Sequence, residues 1–300
     1  MSFSSDAKAE LCRERPEKKC CALAESYGVL LYCHSFSARE IRVITASPDF
    51  AARLPRLFKR AFQLDFDVLP DAGAAGKRSL VIRDEKKLSR IFEAFGMERL
   101  GSLSHHINYG VLEEDAARAA FIRGAFLAGG SVTDPEKRYH LELATAHRSV
   151  SREAHSLLLE MGFSPRETER AGNALLYFKQ ADAIADFFTA IGAPTTALAV
   201  MTAKVDKEMR NTVTRQINCD TANADKTVAA AQEQLAAIRR IVKEYGTLDV
   251  LPEPLRDAAL LRVTNPEASL ADLAQLSIPS VTKSCLSHRL KKIMTFAPGE

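Results

Sequence analysis

The chain has 300 residues and a formal net charge of +3, from 41 Lys and Arg against 38 Asp and Glu. This balance excludes recognition of a partner through global charge, so any basic surface has to be local. A hydrophobic share of 46% supports well-buried cores, and the length points to two domains, or three.

Residues 1–16 are polar with short helical character, and 18–27 reads as a helix closed by Gly28. Strands are expected at 28–35 and 39–46, joined through Phe36-Ser37-Ala38; in the second, Ile41, Val43 and Thr45 alternate with Arg42 and Ile44. Residues 48–62 form a basic amphipathic helix with Phe50, Leu54, Leu57, Phe58 and Ala61 on one side. A strand pair at 66–69 and 79–82 flanks the Gly-rich loop DAGAAGKR, and a helix at 85–95 stops at Gly96.

The same order then returns. A helix at 116–128 ends at Gly129-Gly130, and strands at 131–133 and 139–146 flank DPEKR. A helix at 150–161 closes at Gly162, strands at 164–170 and 174–178 surround Gly172-Asn173, and a helix at 181–191 stops at Gly192. Aligning Gly28 with Gly130 gives a repeat offset of 102 residues. Each copy supplies a four-stranded antiparallel sheet with helices on one face, an α+β layer. Cys20, Ala24 and Gly28 lie at i, i+4 and i+8; Gly124 with Ala128, and Ala125 with Gly129, repeat that spacing. Small residues let helix backbones approach closely, so the two repeat-opening helices are expected to pack on each other and join the halves.

Residues 203–216 read as a connector carrying Lys204, Lys207, Arg210 and Arg215, followed by helices at 225–245 and 254–264. The stretch 269–296 is two helices around a tight turn. Ser269 is the first N-cap, and Leu270, Leu273 and Ala274 share one face. Pro279 breaks the helix within Ser277-Ile278-Pro279-Ser280. The second helix buries Leu286, Leu290 and Ile293. Its other side carries Lys283, Ser284, Ser287, His288, Lys291 and Lys292, with Arg289 nearby and no carboxylate between Lys283 and Lys292. A helix-turn-helix has this pattern: one helix braces and the next enters the major groove. Ser280, Thr282, Lys283, Ser284, Ser287 and His288 are expected at base edges or nearby phosphates. Arg289, Lys291 and Lys292 would hold the backbone, and Ser269 completes the DNA-binding set. The competing reading is a surface helical hairpin with a solvated basic face.

The segment FIRGAFLAGGSV, residues 121–132, resembles the helix of LAGLIDADG homing endonucleases. The resemblance implies two helices packed at a pseudo-twofold axis, each ending in a metal-binding acid just before a closing glycine. The matching positions are Gly129 and Tyr27, and neither can bind a hard divalent cation. The double repeat followed by a helix-turn-helix resembles the WhiA family of bacterial sporulation and cell-division regulators. SFSSDAKAELC at the start, NCDTANADKTVAAA, LPEPLRDAALLRVTNPEASLADLAQL and TKSCLSHRLKKI carry that likeness.

The family implies duplicated LAGLIDADG-like αββαββα repeats over 1–202 (1–105 and 106–202), a linker at 203–216, and an all-α DNA-binding domain over 217–300. It implies a non-enzymatic transcription regulator of cell division, chromosome segregation or sporulation. Double-stranded DNA is the expected partner, with another transcription regulator or RNA polymerase as a second, and no metal or other cofactor. The alternatives are a residual metal-dependent endonuclease and a protein-interaction scaffold.

Other residues carry weaker expectations. The cysteines at 12, 20, 21, 33, 219 and 285 form no C-x-x-C pair and read as reduced, buried thiols. No apolar run of about 20 residues occurs, so a cytoplasmic, nucleoid-associated protein without a membrane partner is expected. His105-His106 reads as a solvent-exposed pair. Arg39, Arg42, Lys59 and Arg60 face either DNA or solvent, and His147-Arg148-Ser149 is a possible phosphate contact at a helix start. Asp134, Glu136, Glu142 and Glu153 are scattered acids.

Overall fold

The computed structural model describes residues 2–14, 18–71, 76–97 and 104–298. Residues 72–75 of the Gly-rich loop, and 98–103 ahead of the expected second repeat, lie outside the described residues. The chain divides into two compact units, 1–208 and 209–300.

In the first unit, α1 (Phe3–Arg13) precedes α2 (Lys19–Tyr32), β1 (Ser35–Phe36), β2 (Ile41–Thr45), α3 (Pro48–Phe62), β3 (Arg78–Ile82) and α4 (Glu85–Ala94). A single 3-10 turn, Tyr109–Val111, leads into the second copy. That copy runs α5 (Asp115–Gly129), β4 (Gly130–Val132), β5 (Leu141–Thr145), α6 (Arg148–Glu160), β6 (Arg166–Arg170), β7 (Asn173–Phe178) and α7 (Ala181–Ile191). The first sheet has the order β1-β2-β3 and the second β4-β5-β7-β6, with antiparallel neighbours throughout. Strand alternation sets the buried face: Ile41, Val43 and Thr45 of β2, and Leu141, Leu143 and Thr145 of β5, all point inward. The expected strand at 66–69 is reduced to one bridge, Val68 to Val81, so among the described residues the first sheet has three strands where four were expected.

The two repeat-opening helices pack on each other, and the contact is reciprocal. A Cβ added at Gly28 would fall on the carbonyl oxygen of Phe121 and crowd the amide nitrogen of Ala125. A Cβ added at Gly124 would fall on the carbonyl oxygen of Glu25 and crowd the amide nitrogen of Val29. Glu25 pairs with Phe121, Gly28 with Gly124 and Val29 with Ala125, each 96 residues apart. The structural repeat is therefore 96 residues across these helices, which corrects the offset of 102. After the first hairpin it becomes 100, because β2 and β5 begin at Ile41 and Leu141.

This geometry corrects a second expectation. Gly28 does not close α2. It lies inside the helix because only glycine permits so close a crossing, and α2 continues to Tyr32. The expected strand at 28–35 is helix over most of its length.

Helix α8 (Pro194–Tyr245) begins where Glu10 of α1 accepts hydrogen bonds from the amides of Thr195 (2.7 Å) and Thr196 (2.8 Å). No Gly or Pro occurs between Pro194 and Gly246, and residues 203–216 are helical throughout. Among the described residues, no helix is long and apolar enough to cross a membrane.

The second unit contains the end of α8 with α9 (Glu253–Thr264), α10 (Leu270–Leu276) and α11 (Lys283–Phe296). Ile238, Ile241, Leu251, Ala258, Ala259, Leu273, Ala274, Leu286, Leu290 and Ile293 form its core. Arg262 is buried there, donating to Gln234 Oε1 (2.9 Å) and to the carbonyl of Ala268 (2.7 Å), which ties α9 to α8 and to the approach to α10.

Candidate nucleic-acid interface

The α10–α11 pair is fixed by local chemistry before it meets any partner. Ser269 caps α10 in a capping box: its hydroxyl accepts from the Asp272 amide (3.2 Å), and the Asp272 carboxylate accepts from the Ser269 amide (3.2 Å). In the turn, the Ser277 hydroxyl donates to the Pro279 carbonyl (3.1 Å) and the Val281 amide to the Ala274 carbonyl (3.3 Å). The Thr282 hydroxyl then accepts from the Cys285 amide (3.2 Å) and starts α11.

Leu286, Leu290 and Ile293 bury one stripe of α11, so helical spacing turns the intervening residues outward. Lys283, Ser284, His288, Lys291 and Lys292 are exposed, Ser287 and Arg289 half-buried, and Ser280 exposed in the turn. Ser269 and Thr282 have their hydroxyls committed to caps. Among the described residues, Lys283, Arg289, Lys291 and Lys292 have no carboxylate partner, and no Asp or Glu occurs from 273 to 298. The cationic face of α11 is therefore uncompensated.

Several cations of the first unit are paired with carboxylates instead. Arg42 and Arg83 both grip Glu40 (2.8 Å each), and their hydrogen bonds hold its carboxyl down at about 2. Arg170 pairs with Glu142 (2.8 Å), Arg148 with Glu169 (2.7 Å) and Lys59 with Asp65 (2.7 Å). His105 is half-buried, which corrects its expected exposure. Its Nε2 lies 2.8 Å from the Phe36 carbonyl oxygen, and its ring stacks on Phe36 at 4.6 Å and meets His147 edge-on at 4.5 Å. His106 is exposed and bonded to Glu153 (2.7 Å).

The ends of the paired helices test whether a divalent cation fits. Tyr27 is not at a helix end. It is buried against Phe95 (ring centroids 4.1 Å), donates to the His106 carbonyl (2.6 Å) and accepts from the Asn108 amide (2.9 Å). By the 96-residue offset, the counterpart of Gly129 is Cys33, which directly follows α2. The signal that would have found it is the Gly28–Gly124 correspondence.

The Cys33 thiol donates toward the carbonyls of Leu30 and Ser35 (3.2 Å each), and burial pushes it up to about 12, so it stays neutral. Any side chain at Gly129 would collide with the Ala144 carbonyl oxygen and crowd Tyr32. A neutral thiol opposite a bare backbone does not fit a cation that requires carboxylate oxygens. Among the described residues, no cluster of three His, Cys, Asp or Glu side chains is arranged to hold a metal.

Paired repeat helices under two antiparallel sheets, joined in sequence to a helical unit ending in a helix-turn-helix, define a LAGLIDADG-like protein with a C-terminal helix-turn-helix domain. The family description "WhiA LAGLIDADG-like domain" matches residues 118–210, and "WhiA C-terminal HTH domain" matches residues 213–297. The chain belongs to the WhiA family. It is 35% identical over 309 aligned residues to the probable cell division protein WhiA of Clostridium perfringens strain 13, covering 99% of this chain and 98% of that one. It is 34% identical to the protein of the same name from Alkaliphilus metalliredigens, covering 100% and 98%. The crystal structure of full-length DUF199/WhiA from Thermatoga maritima shares the fold, with a TM-score of 0.61 at 24% identity over 99% of this chain and 98% of that one.

Proposed function

We propose that this chain is a sequence-specific DNA-binding transcription regulator of bacterial cell division, chromosome segregation or sporulation, and that its endonuclease-like portion does not cut DNA. The uncompensated cationic face of α11 carries the reading. Binding to duplex DNA draws on lysines and arginines free to replace the counterions of phosphates. Lys283, Arg289, Lys291 and Lys292 are free in this sense, whereas Arg42, Arg83, Arg148 and Arg170 already hold carboxylates. In this reading Lys283, Ser284, Ser287 and His288, early on α11, face base edges with Ser280 and Thr282. Arg289, Lys291 and Lys292 hold phosphates, and Ser269 serves the DNA-binding set by capping α10, its hydroxyl and amide being engaged by Asp272.

The absence of cutting is supported by the Gly129 and Cys33 positions, which offer no carboxylate, and by the backbone that crowds Gly129. Relatives named as cell division proteins, rather than nucleases, agree with that reading. Double-stranded DNA is the direct partner, and another transcription regulator or RNA polymerase is the protein partner such a role calls for. Genome-wide occupancy of the full chain, compared with the full chain carrying Lys283→Ala, Lys291→Ala and Lys292→Ala, tests the proposal. Discrete sites lost in the triple variant are expected. Unchanged sites would assign the reading of DNA to another surface.

A further inference from the structure

We infer that Ile278 reads DNA directly, its side chain meeting the 5-methyl group of a thymine in the major groove. This deepens the DNA-binding reading above and rests on it.

Ile278 is 95% exposed, more than any other large hydrophobic residue among the described residues. Its neighbours in the motif behave differently: Leu273 and Ala274 are in the core, and Val281 packs half-buried against it. The side chain is not on a loose loop. The bonds from Ser277 to the Pro279 carbonyl and from Val281 to the Ala274 carbonyl hold the turn on both sides. Four residues later Thr282 caps α11, so Ile278 lies just ahead of the helix end that enters the groove.

The charge around it selects the partner. Residues 273–298 contain Lys283, Arg289, Lys291 and Lys292 and no carboxylate, so this stretch favours a polyanion over an ordinary protein surface. A duplex offers phosphates, sugars and polar base edges, and in the major groove the apolar group on a base edge is the thymine methyl. An apolar residue held within a polyanion-facing surface therefore has one matching chemistry on the DNA. An apolar protein partner is the competing occupant.

Deoxyuridine isolates this contact, because it removes the methyl and keeps the pairing edge and the O4 acceptor. Sites are first selected by the full chain from random duplexes, and each thymine is then replaced singly by deoxyuridine. The wild-type chain should lose about fourfold in affinity at one position, the scale expected for burying one methyl. Ile278→Ala should bind the thymine site about as weakly as wild type binds the deoxyuridine site. It should show no further loss on that replacement, with unchanged thermal stability because the residue is exposed. Lys291→Ala should bind more weakly everywhere yet keep the wild-type deoxyuridine penalty. If no replacement matters to the wild-type chain, or Ile278→Ala retains the same penalty, Ile278 does not touch a base and the inference fails alone. If no duplex is selected at all, the DNA-binding reading fails with it.

Discussion

Glu25 on α2 and Arg53 on α3 form a two-pronged ion pair inside the first unit, with Arg53 Nε 2.6 Å from Oε1 and Nη2 2.8 Å from Oε2. Arg53 also donates to the carbonyls of Cys12 (3.1 Å) and Glu14, which fastens the end of α1. Arg123 on α5 lies 3.5 Å from the same carboxylate, so one buried acid compensates two buried guanidinium groups and links both repeats. Removing one member of a buried pair leaves uncompensated charge, which costs far more than the pair contributes as a unit. Glu25→Ala should therefore lower unfolding stability by about 3–5 kcal/mol, measured by chemical denaturation. The exposed pair Lys59–Asp65 serves as a control, where Asp65→Ala should change it by less than about 1 kcal/mol.

A carboxylate cannot simply be restored at the end of α5. The side chain of Gly129→Asp would enter space held by the Ala144 carbonyl and Tyr32. The variant should lose about 1–3 kcal/mol through overpacking. It should not nick supercoiled plasmid with Mg²⁺ or Mn²⁺, alone or combined with Cys33→Asp. Metal-dependent nicking by either variant would show that the scaffold retains the rest of a cleavage site.

His147 gives the first unit a dependence on mild acid. Burial, together with neighbouring His105, lowers its pKa from 6.5 to about 4, and burial lowers that of His105 as well. An unfolded chain takes up these protons near 6.5 while the folded chain resists them. Stability is therefore unaffected above about 6.5 and falls as pH drops from there toward about 4. His147→Asn should show a smaller fall in melting temperature between neutral pH and pH 5 than the wild-type chain. Equal falls would place the acid sensitivity elsewhere.

How far the sequence revealed this fold depends on what each glycine does. Gly192 ends α7 with φ of 92°, a left-handed conformation that stops a helix locally, and its element ended where expected. Gly28 has another purpose: it admits the backbone of a helix 96 residues away, information no local window contains. That difference displaced the repeat alignment, and with it the helix-end position from Cys33 to Tyr27. The α10–α11 motif was legible because its caps, its apolar stripe and its turn are all local. The joint burial of Glu25, Arg53 and Arg123 was not, since their contacts cross three helices.

If the cationic side of α11 grips duplex DNA, binding has to weaken with salt in proportion to the phosphates those side chains engage. Affinity of the full chain for a selected duplex is measured from low to moderate salt, with Lys291→Ala and Lys292→Ala beside the wild type. Each substitution should weaken binding to all sequences and reduce the slope of log affinity against log salt by about 1. Slopes and affinities unchanged in both variants would contradict the account.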